Sequence, residues 1–298
     1  MQRKQLAALG MTFGLAACSF SPLALATEGG GSIYPNGNEN YLVGAVPPPG
    51  TYVLEYASYD HLQRLRDNQG NRVGLPFDVK VAALGTRIVR VTDTQIFGGQ
   101  LALHAILPLL SVNADIGGNS DSRSGLGDIA FGPGLGYHDG NLHYAIAVDF
   151  NAPTGSYDKN RLANLGRNYW SVQPILAASY LQSSGVNADI KLMYDFNGKN
   201  SATQYRSGQE FHLDYALGWG LGNGWVAGVG GYAYQQTTAD KRGGVTVADN
   251  KGRAMGIGPS VKYDNGKGFF ITVKWQQDFN VRNRPEGGGL KVKFSIPF

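Results

Sequence analysis

Apolar and polar residues alternate along most of the chain. Near the C-terminus, Leu290, Val292, Phe294, Ile296 and Phe298 share one face, and Lys291, Lys293 and Ser295 share the other. Val186, Ala188, Ile190, Leu192, Tyr194 and Phe196 repeat the pattern against Asn187, Asp189, Lys191 and Asp195. Phe211, Leu213, Tyr215, Leu217 and Trp219 alternate with Glu210, His212 and Asp214. A period of two is that of a strand, and a helix with its period of 3.6 would mix the two sets. The pattern predicts about twelve strands, near 51–64, 79–93, 100–112, 125–137, 142–157, 169–181, 186–197, 208–220, 225–236, 253–263, 269–280 and 288–298. Connections with hairpin chemistry fall at 138–141, 182–185, 221–224 and 264–268, and long ones near 65–78, 113–124, 158–168, 198–207, 237–252 and 281–287.

Strands of roughly ten residues, an even strand number and two-sided loop lengths are the pattern of an outer-membrane barrel. The expected fold is therefore all-β: a transmembrane barrel of about twelve antiparallel strands with short periplasmic turns and longer extracellular loops. Both termini then fall on the short-turn side. In lipid every backbone polar group needs an internal partner, which a closed sheet supplies. The rival is a soluble β-sandwich. Composition speaks against it, because charged residues are 16% and glycines number 43, whereas soluble domains carry about 25% charged residues and roughly 7% Gly. Aromatic residues cluster at strand ends: Trp219, Trp225, Tyr263 and Phe298 by the short turns, and Tyr157, Trp170, Phe196 and Trp275 toward the long loops. That is the placement of two interfacial girdles.

The first residues read as a targeting signal. Arg3 and Lys4 precede an apolar stretch over 6–17, and Ala24-Leu25-Ala26 offers a small-residue cleavage site before Thr27. Leu15-Ala16-Ala17-Cys18 offers a competing lipidation site. The chain thus divides into a signal peptide at 1–26, a lead-in or plug at 27–50 and a barrel at 51–298. Cys18 is the single cysteine, which excludes a disulfide framework and a cysteine-based zinc site. The formal net charge of +4 includes both leader residues, so the remainder is too nearly neutral to imply nucleic acid as a partner.

Charges belong on the lumen side, because Arg or Lys facing lipid at mid-bilayer costs about 2–4 kcal/mol. The expected lumen-lining or substrate-binding set is Glu55, Arg90, His104, Asp149, Asp189, Lys191, Asp195, Glu210, His212, Asp214, Lys274, Asp278, Lys291 and Lys293. Tyr232 and Tyr234 join it as contacts for aromatic solutes if their strand turns them inward. These residues either set selectivity or fill a narrow barrel with ion pairs, and their mixed signs argue against a strongly ion-selective pore. Residues 27–50 are rich in Gly and Pro and suit neither strand nor helix. They form either a plug, as in the fatty-acid channels of outer membranes, or a periplasmic lead-in. Ile33, Tyr34, Tyr41, Leu42 and Val43 favour burial. The later long loops are basic through Lys159, Arg161, Arg167, Lys199, Arg206, Lys241, Arg242, Lys251, Arg253, Arg282 and Arg284, which suits lipopolysaccharide phosphates or simply a solvated rim.

Enzyme chemistry finds little support. No Gly-x-Ser-x-Gly elbow occurs, and the single cysteine leaves the histidines no cysteine pair with which to form a zinc motif. Asp115, Asn119, Asp121 and Asp128 lie around one long loop and could hold calcium, but their spacing does not fit an EF-hand and a solvated loop is favoured. Gly228-Val-Gly-Gly-Tyr-Ala233 lies in an alternating strand, outside any dinucleotide fold. No catalytic residue, metal or cofactor is expected.

Longer stretches carry a resemblance. They are Glu28-Gly-Gly-Gly-Ser-Ile-Tyr-Pro-Asn-Gly-Asn-Glu-Asn40, Val46-Pro-Pro-Pro-Gly-Thr-Tyr52, Gly125-Leu-Gly-Asp-Ile-Ala-Phe-Gly-Pro133, Pro153-Thr-Gly-Ser-Tyr157, Asn164-Leu-Gly-Arg-Asn-Tyr-Trp170, Tyr205-Arg-Ser-Gly-Gln-Glu-Phe211 and Gly231-Tyr-Ala-Tyr-Gln-Gln236. Together they resemble the outer-membrane transporter family named for the meta pathway of phenol degradation. The resemblance implies passive uptake of small hydrophobic or aromatic compounds across the outer membrane of a Gram-negative bacterium. Phe298 also resembles the terminal signal read by the barrel assembly machinery. The alternatives are an outer-membrane lipid hydrolase and a non-transporting structural barrel.

Overall fold

The computed structural model describes residues 27–296. The leader reading, Cys18 and Phe298 lie outside the described residues. The strands are β1 (Gly50–Leu65), β2 (Phe77–Ile96), β3 (Gly99–Ile116), β4 in two pieces (Asn119–Leu126 and Ile129–Asp139), β5 (Leu142–Ala152) and β6 (Ser171–Tyr180). They continue with β7 (Ser184–Asn197), β8 (Glu210–Leu221), β9 (Trp225–Gln236), β10 (Arg253–Asp264), β11 (Phe270–Arg282) and β12 (Pro285–Ile296). Each pairs antiparallel with its sequence neighbour, and β1 pairs with β12 from Val53↔Ile296 to Leu65↔Pro285. The result is a closed barrel of 12 strands, with no free edge left to satisfy.

The alternation read in the sequence becomes the two sides of this wall. Leu176, Leu217 and Trp219 are each more than half exposed on the outer face, while Gln173, Ala216 and Asp214 beside them are buried inside. An apolar outside and a polar inside is what a barrel in lipid requires. Pro133, Pro174 and Pro259 fall where the ladder skips residues on one side, because proline has no N–H to donate.

Three expectations about connections are corrected. The long loop placed at 113–124 is a two-glycine turn, Gly117-Gly118, at the tip of a hairpin that extends β3 and β4. The one placed at 281–287 shrinks to Asn283 and Arg284, both with buried side chains. The described chain does not begin on the short-turn side either. The N–H of Thr27 donates to Asp240, and that of Glu28 to Ser207, both in long loops. The C-terminal strand does end on the short-turn side, where Ser295 Oγ donates to the backbone of Gly268.

Candidate functional site

The lumen is the only interior of this fold, and strand register says which residues face it. Tyr56 reaches inward, so Ser58 and Asp60 do too, while Glu55 and Ala57 face out. The same reasoning carried strand by strand turns His104, Asp149, Asp189, Lys191, Asp195, Glu210, His212, Asp214, Tyr232, Tyr234, Lys274, Asp278, Lys291 and Lys293 inward. The expected register ambiguity of Tyr232 and Tyr234 is resolved: both are buried on the lumen side.

Two expectations fail. Glu55 lies on the outer wall, where its neighbours across the strands are Thr86 and Phe294, and Thr86 Oγ1 donates to its carboxylate at 3.0 Å. Arg90 also faces out, exposed and bonded to Thr51 Oγ1 at 3.1 Å close to the start of β1. The inward cation of β2 is Arg87. Alternation is weak over 79–93, and the sequence alone did not fix that register.

Residues 27–49 occupy the lumen and run its whole length. At the long-loop end, Glu28 accepts hydrogen bonds from Tyr157 at 3.2 Å and Asn200 at 2.7 Å. Tyr157 therefore points over the plug and takes no part in the outer girdle. Lower down, Ser32 donates to Glu210 at 3.1 Å, and Tyr34 to Asp214 at 2.5 Å. Asn40 accepts from Ser260 at 2.8 Å. Val43 and Gly44 then donate their amides to Asp189 and Ser179, at 3.1 and 2.9 Å. Pro48 meets Tyr52 at the start of β1. Tyr41 is fully buried, packed with Ala216 and Val226.

This explains why the lumen is charged. An irregular segment has no ladder of its own, and buried backbone groups without partners are costly. Wall side chains take the place of the ladder. Asp214 alone accepts the amides of Gly37 and Glu39, each at 2.9 Å. Lys274 donates to the carbonyl of Glu39 at 2.6 Å, and Lys293 to that of Tyr41 at 2.7 Å. Space is equally specific at Gly37: its φ is +70°, and a Cβ there would strike the Gln276 amide.

One plug side chain reverses the polarity. The Glu39 carboxylate lies 2.9 Å from Lys293 Nζ, 3.5 Å from Lys191 Nζ and 3.8 Å from Arg87, and Tyr56 donates to it at 3.2 Å. Glu39, Arg87 and Tyr56 were absent from the expected set. Glu39 was hidden because a lone acid in a Gly- and Pro-rich stretch has no periodic signature.

Elsewhere the lumen charges pair among themselves. Lys291 holds Asp60 at 2.7 Å, His104 meets Asp149 at 2.8 Å, and Tyr232 donates to Asp278 at 2.7 Å. His212 sits between Asn36 of the plug at 2.7 Å and Asp195 at 3.0 Å. Asp195, Glu210 and His212 bring ligand-type atoms within 4.8 Å of one another, but each atom group already has a protein partner. Gln173 donates to Asp195, and Tyr234 and Asn197 donate to Glu210. Arg284, expected on the basic rim, is buried with its guanidinium 4.0 Å over the Tyr234 ring. Arg161 pairs with Asp121, while Lys159, Lys199, Arg206, Lys241, Arg242, Lys251 and Arg282 remain exposed. Above the plug, burial pushes the Asp240 carboxyl above its ordinary range, against the pull of its donors Tyr205, Gly208, Gln236 and Thr27.

Comparison with known proteins bears on the barrel as a whole. The family profile described as the MetA-pathway of phenol degradation matches residues 63–294. An outer-membrane channel from Pseudomonas putida F1 shares the fold, with a TM-score of 0.76 and 18% identity over 90% of this chain and 100% of that one. The translocator domain of the autotransporter NalP from Neisseria meningitidis (TM-score 0.49, 11% identity, 86% and 91% covered) and the β domain of the Bordetella autotransporter BrkA (0.48, 12%, 83% and 99%) are also similar. No functionally curated protein matches the sequence.

Proposed function

We propose, from the premise that this chain belongs to the family named for the MetA-pathway of phenol degradation, that it is an outer-membrane channel for passive uptake of small hydrophobic or aromatic compounds, held shut at rest by residues 27–49. The observation that carries this is how the plug is bound. Side chains hold it, Asp214, Lys274 and Lys293 foremost, and no strand pairs with it. It can therefore leave without opening a single rung of the barrel. Uptake needs no energy source that the chain would have to supply. Tyr232, Tyr234 and the paired lumen charges are then the wall exposed to solute once the plug moves.

The exposed lysines and arginines of the long loops suit lipopolysaccharide phosphates at the outer leaflet. Removal of a leader at 26 and recognition of Phe298 by the assembly machinery belong to the same reading. A hydrolase would want a histidine against a serine. Among the described residues the histidines face carboxylates, an asparagine or each other.

The filled lumen favours a second reading, a barrel that transports nothing. Planar-bilayer recording of the purified protein, with and without a simple aromatic solute, separates the two. The channel reading expects a quiet barrel whose conductance rises when 29–45 are deleted, together with flux of a neutral aromatic solute into proteoliposomes. A full-length barrel that passes no solute, and a deletion variant that stays non-conducting while folded, would leave the structural reading.

A further inference from the structure

Glu39 is the plug residue whose surroundings look most like a ligand site. Its carboxylate is the common target of Arg87 on β2, Lys191 on β7 and Lys293 on β12. β12 and β2 flank β1 on one side of the barrel and β7 lies across the lumen, so the cations converge on Glu39 from both sides. Tyr56 adds a hydroxyl donor to the same oxygen that Arg87 and Lys191 face. Aromatic surface of the wall adjoins the cations: Lys293 Nζ is 6.0 Å from the centre of the Tyr56 ring and 5.9 Å from that of Phe270.

Take the plug away and the cradle stays behind. Three cations would then share one lumen level with the anion that joined them gone. Clustered like charges repel one another, so the vacated position favours another anion of similar shape. Guanidinium and ammonium groups around a planar two-oxygen anion are carboxylate chemistry. Resting on the channel reading above, we infer that Arg87, Lys191, Lys293 and Tyr56 form a carboxylate-binding site, that Glu39 is its built-in occupant, and that small aromatic monocarboxylates compete with Glu39 and release the plug. The ring of such a ligand would lie along Tyr56, on the apolar side of the cradle.

The test reads plug position directly. In the full chain with Cys18→Ser, Asn38→Cys places a thiol one residue from Glu39, and its labelling rate by a maleimide reports plug release. Benzoate is the probe, benzyl alcohol the neutral control and chloride the inorganic control. The rate is expected to rise about tenfold, saturably, with benzoate and to stay flat with both controls; tenfold corresponds to ~1.4 kcal/mol of plug binding lost. Glu39→Gln should label fast without benzoate and respond little to it. Should that variant not assemble, Lys191→Gln serves instead, and its benzoate response should fall severalfold. An equal response to chloride overturns the carboxylate assignment in favour of a general anion effect. No response to benzoate also overturns it. Flux of neutral benzyl alcohol through the same proteoliposomes then tells whether the channel reading stands without the carboxylate site or falls with it.

Discussion

The amide of Gly44 donates to Ser179 Oγ at 2.9 Å, and the Gly44 α-carbon is pressed against the wall so closely that a Cβ would lie 2.6 Å from the carbonyl oxygen of His143 and 2.9 Å from the Ser179 nitrogen. Both obstacles are backbone of paired strands, β5 and β6, which cannot swing aside. Gly44 is thus where the segment sits tightest against the wall near the short-turn end. Gly44→Leu is expected to unseat 42–46 while leaving the barrel assembled. Single-channel recording should show openings that the parent protein lacks, and a quiet, folded variant would mean that the seal lies elsewhere.

Asp214 tests the other anchor. It holds Tyr34, Gly37 and Glu39 at once, and hydrogen bonds to a charged group contribute roughly 1.5–3 kcal/mol each. Asp214→Ala should loosen the middle of the plug and raise conductance, yet barely shift the unfolding of the barrel, because its side chain takes no part in the backbone ladder. The double variant Asp189→Ala with Glu210→Ala removes contacts to Val43 and Ser32. It should act in the same direction. Heat-modified electrophoretic mobility checks assembly, and solute flux checks the gate.

How far the sequence revealed this site depends on periodicity. Residues such as Asp189, Asp214, Lys291 and Lys293 alternate with apolar neighbours over long runs, and their inward orientation could be read directly. Over 79–93 the run Val79, Val81, Ala82, Ala83, Leu84 breaks alternation, and there the pattern points to Arg90 although Arg87 is the inward cation. Glu55 misled for a different reason: the rule that charges avoid lipid is a preference worth a few kcal/mol, and Thr86 offsets part of it. The path of the plug was not legible at all. Most of its contacts join residues more than a hundred positions apart, from 129 for Glu28 with Tyr157 to 254 for Glu39 with Lys293, and only three-dimensional closure creates them.

Acidity should tighten the upper end of the plug. Burial raises the Asp240 carboxyl above its ordinary value, which is about 3.9 when unfolded. A carboxyl with a raised folded pKa binds its proton more tightly in the folded state. Its contribution to docking is complete below the unfolded value and is lost as pH rises through the folded one. Protease access to the 237–252 loop should therefore increase as pH climbs out of the acid range. Asp240→Asn should flatten that dependence, whereas an unchanged pH profile in this variant would assign it to other groups.

Glu39 and Glu55 carry the same chemistry on opposite sides of one wall, and they should respond in opposite ways to the same substitution. Glu39 faces three cations inside, so Glu39→Leu leaves buried positive charge unbalanced and should lower the denaturant midpoint in lipid vesicles. Glu55 faces outward among Phe294 and Thr86 with a hydroxyl as its hydrogen-bonding partner. Replacing it by Leu, together with Thr86→Val so that no hydroxyl is left unpaired, removes a polar pair from a surface that prefers to be apolar. The double variant should gain on the order of 1 kcal/mol, below the cost of a lipid-facing Lys or Arg because acids are penalised less. A loss of stability instead would mean that the outward carboxylate has a partner in the membrane, and would make that stretch of β1 and β2 a contact surface in its own right.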